Sequence, residues 1–264
     1  MALRNSDAQD LLREDHGKIA VLTLNRPDAR NALSESLLAS MQTALDDLKD
    51  DPAIHVVVLR GEGPGFCSGH DLKELAGSRD ASYFESLLAR CSKMMTTIKQ
   101  LPQPVIAAVH GIATAAGAQL VATCDLAIAS NDARFATPGT NIGLWCSTPM
   151  VAVSRSVSQK AAMEMLLTGD LIDADTAFRF GLINRVVPQK SLMDEVMALA
   201  EKLAAKSRLV LGLGKEAFYR QGEMDIADAY AYASDVMVHN MMKKDAVEGI
   251  DAFLNKRQPV WSNS

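Results

Sequence analysis

Short apolar runs recurring between helical stretches constrain this chain more than any other feature. "KIAVLTLN", "HVVVLRG", "PVIAAVHG", "DLAIAS" and "LINRVVP" are rich in Val, Ile, Leu and Ala and are closed by Gly, Ser, Asn or Pro. Runs of that length and composition read as strands, most of them buried. Between them, the segments Ser34 to Leu48, Tyr83 to Lys99, Ala116 to Thr123, Ala161 to Leu167 and Ala174 to Phe180 carry helical patterns. Such alternation predicts an α/β core. From Leu192 onward only helical patterns remain, as in "DEVMALAEKLAAKS" and "DIADAYAYASDVMVHNMM". The expected division is a core over residues 1–195 and a helical region over 196–264 that covers the core, a neighbouring subunit, or both. The helical methionines Met94, Met95, Met193, Met197, Met237, Met241 and Met242 suit adaptable packing.

The chain has 264 residues, 48% of them hydrophobic, enough for a sizeable core. Its net charge is −5 and it has no long basic run, so neither nucleic acid nor an anionic membrane finds a footprint. No uninterrupted apolar run reaches the roughly 18 residues of a membrane span. The N-terminal "MALRNSDAQDLLREDHGK" lacks a secretory apolar core and mixes acids with bases, unlike a transit peptide, so a cytoplasmic location is expected. Cys67, Cys91, Cys124 and Cys146 show no paired metal spacing, and no metal site is expected. Cys91 and Cys124 read as small buried hydrophobes. Cys67 and Cys146 lie in loop-like stretches and are weak nucleophile candidates.

Two glycine-rich turns carry the chemistry. "GPGFCSGHDLKEL" follows a strand, and its glycines permit backbone angles closed to other residues. Asp71 is placed to cap the helix that "DLKEL" begins, which leaves the N–H of His70 free. "GIATAAGAQL" repeats the arrangement: a strand, a turn of small residues, then a helix start whose unpaired amides favour an oxygen with negative charge. Two convergent N–H groups stabilise an oxyanion, worth about 3 to 4 kcal/mol per donor.

With "LTLNRPDARNALSESLL", "GPGFCSGHDLKEL", "PVIAAVHGIATAAGAQLVATCDLAIAS", "FATPGTNIGLWCS" and "EGIDAFLNKRQPVW" in this order, the chain resembles the crotonase superfamily, also called the enoyl-CoA hydratase/isomerase family. The resemblance implies a crotonase-like spiral of ββα turns followed by a helical trimerisation region, with trimers often pairing into hexamers. It implies an acyl-CoA thioester ligand, coenzyme A entering as part of the substrate and no separate cofactor. By matching motifs the oxyanion donors fall on His70 and Ala116. The carbonyl offered to adenine falls on Ser68, with Asp71 beside it, and Arg30 and Ala32 fall where an early loop meets the CoA. Phe253 and Lys256 fall on the terminal helix that closes the pocket or touches the nucleotide. Thr140, Trp145 and Cys146, with Thr137, Asn141 and Ser147, fall along the acyl pocket, which Trp145 would restrict.

The pattern breaks where hydration needs it most. Two glutamates move the protons in hydratases; here those positions fall on Gln119 and Gly139. An amide orients water but is not a base. His70 remains, either as a replacement base or as a CoA contact. Decarboxylation of a malonyl-type CoA, thioester hydrolysis through an oriented water or Cys146, residual hydratase or isomerase activity, and a non-catalytic acyl-CoA carrier all stay open.

Overall fold

The computed structural model describes residues 9–78 and 80–264. Its strands are β1 (Leu11–His16), β2 (Ile19–Leu24), β3 (Val56–Gly61), β4 (Val105–Val109), β5 (Ile112–Thr114), β6 (Leu126–Ser130), β7 (Arg134–Ala136), β8 (Ile172–Asp173) and β9 (Arg185–Val187). The first helices are α1 (Glu35–Lys49), α2 (Leu72–Gly77), α3 (Ala81–Gln100), α4 (Ala116–Thr123), α5 (Ser147–Ser156) and α6 (Gln159–Thr168). They are followed by α7 (Ala174–Phe180), α8 (Leu192–Ala204), α9 (Arg208–Gln221), α10 (Ile226–Met241) and α11 (Lys244–Leu254).

The larger sheet runs in the order β1-β2-β3-β4-β6-β9, antiparallel at β1-β2 and parallel elsewhere. The smaller sheet is β5-β7-β8. A strand of the large sheet, a short strand of the small one and a helix follow one another in β4-β5-α4 and β6-β7-α5, while isolated bridges at Leu33 and Cys67 stand in for the short strand in the earlier turns of the ββα spiral, the fold the sequence leads one to expect. Period-two alternation sends Val57, Leu59, Ala107 and Val109 to one core and Val56, Val58, Ile106 and Ile128 to another. Helices α1 and α3 cover the first face. The second is covered by α8 through Leu192, Val196, Ala200 and Ala204, where each fully buried Val or Leu contributes about 1.5–3 kcal/mol. The division expected at residue 195 falls inside α8.

The helical layer is pinned to the core by one polar cluster. Asp125 accepts hydrogen bonds from the Val105 N–H at 2.7 Å and the Tyr219 hydroxyl at 2.8 Å, and pairs with Lys215 Nζ at 2.7 Å. Lys215 also donates to the Ile98 and Gln103 carbonyls, both at 2.9 Å, which joins α9 to the end of α3 and the start of β4. Asp125 thus fixes the turn between α4 and β6. No helix among the described residues is long and apolar enough to cross a membrane.

Candidate active site

Backbone pairing brings the two glycine-rich turns together. Cys67 and Ala113 form a parallel bridge: Cys67 N–H donates to the Ile112 carbonyl at 3.1 Å and Thr114 N–H to the Cys67 carbonyl at 2.9 Å. Three residues further along each segment stand His70 and Ala116. Leu33 holds the other side of the first segment, donating to the Gly69 carbonyl at 2.7 Å and accepting from Asp71 N–H at 3.2 Å. In such a parallel bridge the N–H of His70 points away from Leu33, toward the second turn. The backbones approach closely: a Cβ on Gly69, whose φ is +97°, would lie 3.4 Å from Ala116 N and 2.9 Å from the Ala115 Cβ.

Ala115 takes φ 51° and ψ −116°, a conformation that costs a non-glycine residue about 1–3 kcal/mol, and its N–H is held by the Ala136 carbonyl at 2.9 Å. This turn aims the first amides of α4 outward. Gln119 N–H is the first to bond back, to the Ala115 carbonyl at 3.0 Å. Among the described residues neither His70 N–H nor Ala116 N–H has an acceptor. Two unpaired donors on adjacent segments, one at a helix N-terminus, make an anion trap. Gly117 packs on the Cys67 carbonyl so tightly that a Cβ there would overlap it.

The early loop supports this frame. Ser68 N–H donates to the Arg30 carbonyl at 3.0 Å, and the Ser68 carbonyl accepts from Thr114 Oγ1 at 3.1 Å, leaving it one lone pair for a ligand. Arg30 is exposed and Ala32 buried beside it. Asp71 caps the helix as expected and also forms an ion pair. One carboxylate oxygen caps α2 through Lys73 N–H at 3.0 Å and the other pairs with Arg26 at 2.9 Å. It anchors the loop, with its side chain 12% exposed. Two residues that sequence reasoning missed do similar service: Arg26, which also donates to the Ala32 carbonyl at 2.5 Å, and fully buried Asn31. Asn31 accepts from Arg26 N–H and donates to the Glu62 and Gly65 carbonyls, each at 2.8 Å. The signal was an Asn after a Pro-Asp turn, at φ 54°.

Gln119 is 4% exposed, and its Oε1 has no partner. Both ring nitrogens of His70 are likewise buried without partners, and burial pushes the imidazole below the ordinary histidine range. A buried polar atom left unsatisfied costs about 1–3 kcal/mol, which a ligand or water recovers. Position 139 holds no spare room: a Cβ there would lie 2.7 Å from the Leu144 carbonyl and 2.9 Å from Cys146 Sγ. Burial pushes the Cys146 thiol up and the Cys67 thiol up to about 12, so both stay protonated at neutral pH and are poor nucleophiles. His110 is structural, its Nε2 lying 2.8 Å from the Gly63 carbonyl.

A cavity of about 490 Å³ opens beside Gln119. Its walls differ from expectation, because α3, α5 and α9 supply them through Met95, Thr96, Lys99, Thr148, Arg155 and Tyr219. Thr140, half-buried, has an unpartnered Oγ1; Trp145 is 40% exposed with its indole N–H on Met150 Sδ; neither lines that cavity. Phe253 is 82% exposed on α11, with Lys256 just beyond the helix, so neither is brought to the trap by its own chain. Among the described residues no cluster of His, Cys, Asp or Glu could hold a metal ion.

The enoyl-CoA hydratase/isomerase family model matches residues 14–264. The chain is 48% identical over 242 residues to "Enoyl-CoA hydratase domain-containing protein 3, mitochondrial" of Homo sapiens, covering 92% of this chain and 80% of that protein. The Xenopus laevis protein of the same name is 47% identical over 254 residues, covering 96% and 86%. A crystal structure titled as an enoyl-CoA hydratase of Mycobacterium smegmatis superposes with a TM-score of 0.94 at 53% identity, covering 96% of this chain and 98% of that one. These relatives overturn the cytoplasmic expectation, since their names place them in the mitochondrion. The physical reason is that an organelle address is read by a receptor from a removable leader and leaves no mark on the folded domain's composition. Residues 1–8, on which that expectation partly rested, lie outside the described ones. By family model, relatives and fold alike, the chain belongs to the enoyl-CoA hydratase/isomerase family, with similarity to its domain-containing protein 3 group.

Proposed function

We propose that the protein is an acyl-CoA enzyme that stabilises a thioester enolate between the N–H groups of His70 and Ala116, and that its reaction is one needing no carboxylate base. The observation that carries this reading is the pair of unpaired amides beside a site where Gln119 and Gly139 stand in place of acids. Decarboxylation of a malonyl-type CoA fits best. The bond between the α-carbon and the carboxylate breaks, its electron pair moves into the enolate, and CO2 leaves. The trap holds the oxyanion while a proton from water returns to the α-carbon. Gln119 would orient that water or the departing carboxylate by hydrogen bonds, which an amide can do. Coenzyme A enters only as part of the thioester, with Ser68, Arg30 and Ala32 along its path. The protonated thiols of Cys67 and Cys146 speak against a covalent thioesterase route.

The same reading includes a homotrimer or a hexamer built from trimers. Ile142, Leu144, Trp145, Met150 and Val151 form an exposed apolar region, and α10 and α11 expose Tyr230, Met237, Val238 and Phe253. Apolar area of that extent marks an interface. Phe253 and Lys256 would then serve a neighbouring subunit's pocket. Light scattering after gel filtration tests the assembly.

The decisive experiment is turnover of crotonyl-CoA, a malonyl-type CoA, a β-hydroxyacyl-CoA and saturated acyl-CoAs, followed by mass spectrometry with binding measured in parallel. The expected result is CO2 loss from the malonyl-type ester and no hydration of crotonyl-CoA. Hydration at ordinary enzyme rates overturns the reading and makes His70 the replacement base. Tight binding with no chemistry moves the protein to a carrier.

A further inference from the structure

The cavity beside Gln119 is polar at the end away from the trap. Its floor is Gln119 and Thr123, both buried on α4, and one wall is α3 from Ser92 to Lys99. Seven residues of helix rise make that wall roughly 10 Å long. Lys99 stands at its far end, half-buried, with Nζ 4.3 Å from the centre of the Tyr219 ring. Burial pushes its ammonium below the ordinary lysine range. Among the described residues it forms no ion pair within 4.0 Å; of the two acids that act on it, Asp125 is taken by Lys215 and Tyr219 and Glu223 faces Arg155. Arg155 on the opposite wall pairs with Glu223 at 3.7 Å, both largely exposed. The cavity therefore carries two cations against one acid. Beyond Lys99 lies a second cavity of about 740 Å³, to which Lys49, Arg208 and Arg220 add positive charge against Glu216.

A half-buried, unpaired ammonium at the end of an acyl-sized groove has one chemical complement. We propose that the acyl group of the substrate ends in a carboxylate, and that Lys99 recognises it. The inference rests on the acyl-CoA reading above but not on its decarboxylation step: a carboxylate this far from the α-carbon is not one that leaves as CO2, so Lys99 would recognise the acyl end and take no part in the reaction. The neutral side chain at 119 supports it: with Gln119 in its floor the cavity has no carboxylate at that end to repel an acidic chain. The length of the α3 wall suits a chain of about six to eight carbons, and Thr148 stands along the way. A methyl-ended chain of equal length would leave Lys99 facing hydrocarbon, which disfavours its charged form.

The test is calorimetric binding of matched CoA esters to the full-length protein: adipyl-CoA against hexanoyl-CoA and suberyl-CoA against octanoyl-CoA, repeated with Lys99→Met and Lys99→Arg. The expected result is at least ten-fold tighter binding of the acid-ended ester by the wild type. Lys99→Met collapses that ratio to near one, and Lys99→Arg keeps part of it. Equal affinity of the two esters, or a ratio unchanged by Lys99→Met, overturns the proposal while leaving the acyl-CoA reading intact. Failure of every CoA ester to bind overturns both. The wild-type comparison stands by itself if a variant does not fold.

Discussion

A side chain at position 139 and the sulfur of Cys146 compete for one space, because a Cβ on Gly139 would come within 2.9 Å of that sulfur. The loop from Leu144 to Cys146 fills the space that a side chain at 139 would need, and Leu144 N–H locks it by donating to the Gly139 carbonyl at 2.9 Å. Glycine at 139 is thus built into the packing.

Restoring the two acids should therefore succeed at one position and fail at the other. Gln119→Glu is nearly isosteric, and the protein is expected to fold and to gain measurable hydration of crotonyl-CoA, since the trap and one acid are then in place. Gly139→Glu must displace the 144–146 loop and should cost about 1–3 kcal/mol or more. Thermal melts of both variants check this. Equal stability of the two would show that the loop yields freely.

Breaking the clamp between core and helical layer gives a large stability effect away from the chemistry. Lys215→Met keeps the bulk of the side chain and removes the partner of Asp125, whose side chain is 15% exposed. Removing one member of a buried pair costs about 3–5 kcal/mol. Urea unfolding of Lys215→Met and of Asp125→Asn should show losses in that range. A double variant much less unstable than the sum would confirm that the two residues act as a unit.

Ala116→Pro deletes one trap donor. Position 116 is the first residue of α4, where proline is tolerated within the helix itself, although Ala115 before it already holds a strained turn. Turnover is expected to fall by about 10²–10³-fold, the effect of losing one oxyanion donor, with CoA ester affinity falling far less. Unchanged turnover would remove Ala116 from the mechanism.

How legible this was from sequence depended on the range over which each signal acts. Helices α4 and α7 begin and end where the pattern placed them, because small residues, caps and glycines act locally. Strands β5 and β7 have three residues each, too few to show alternation, so the stretch from Ile112 read as a turn alone. Helix α5 went unread because it opens without a side-chain cap and carries Pro149 in its first turn. The two turns were legible from their glycines. Lys99 was not, since its meaning depends on Tyr219 of α9, 120 residues later, and no local pattern carries that contact.

The pH dependence of stability follows from His70. Its buried imidazole, with no partner on either nitrogen, takes up a proton at lower pH than the free side chain. Below the ordinary histidine value of about 6.5 the unfolded chain binds that proton and the native one does not. The unfolded state then holds more protons, so stability rises with pH through this window and is lost as pH falls below it. His55 is displaced in the same direction, by burial first, and adds to the effect. In His70→Asn the slope of unfolding free energy against pH, measured by urea titration between pH 5 and 7, should flatten by up to about 1.4 kcal/mol per pH unit. A bound acyl-CoA that hydrogen-bonds the ring would flatten it in the wild type as well, by giving the imidazole the partner it lacks. An unaltered slope in both cases would mean that the ring is solvated in solution and contributes nothing to the acid sensitivity of the fold.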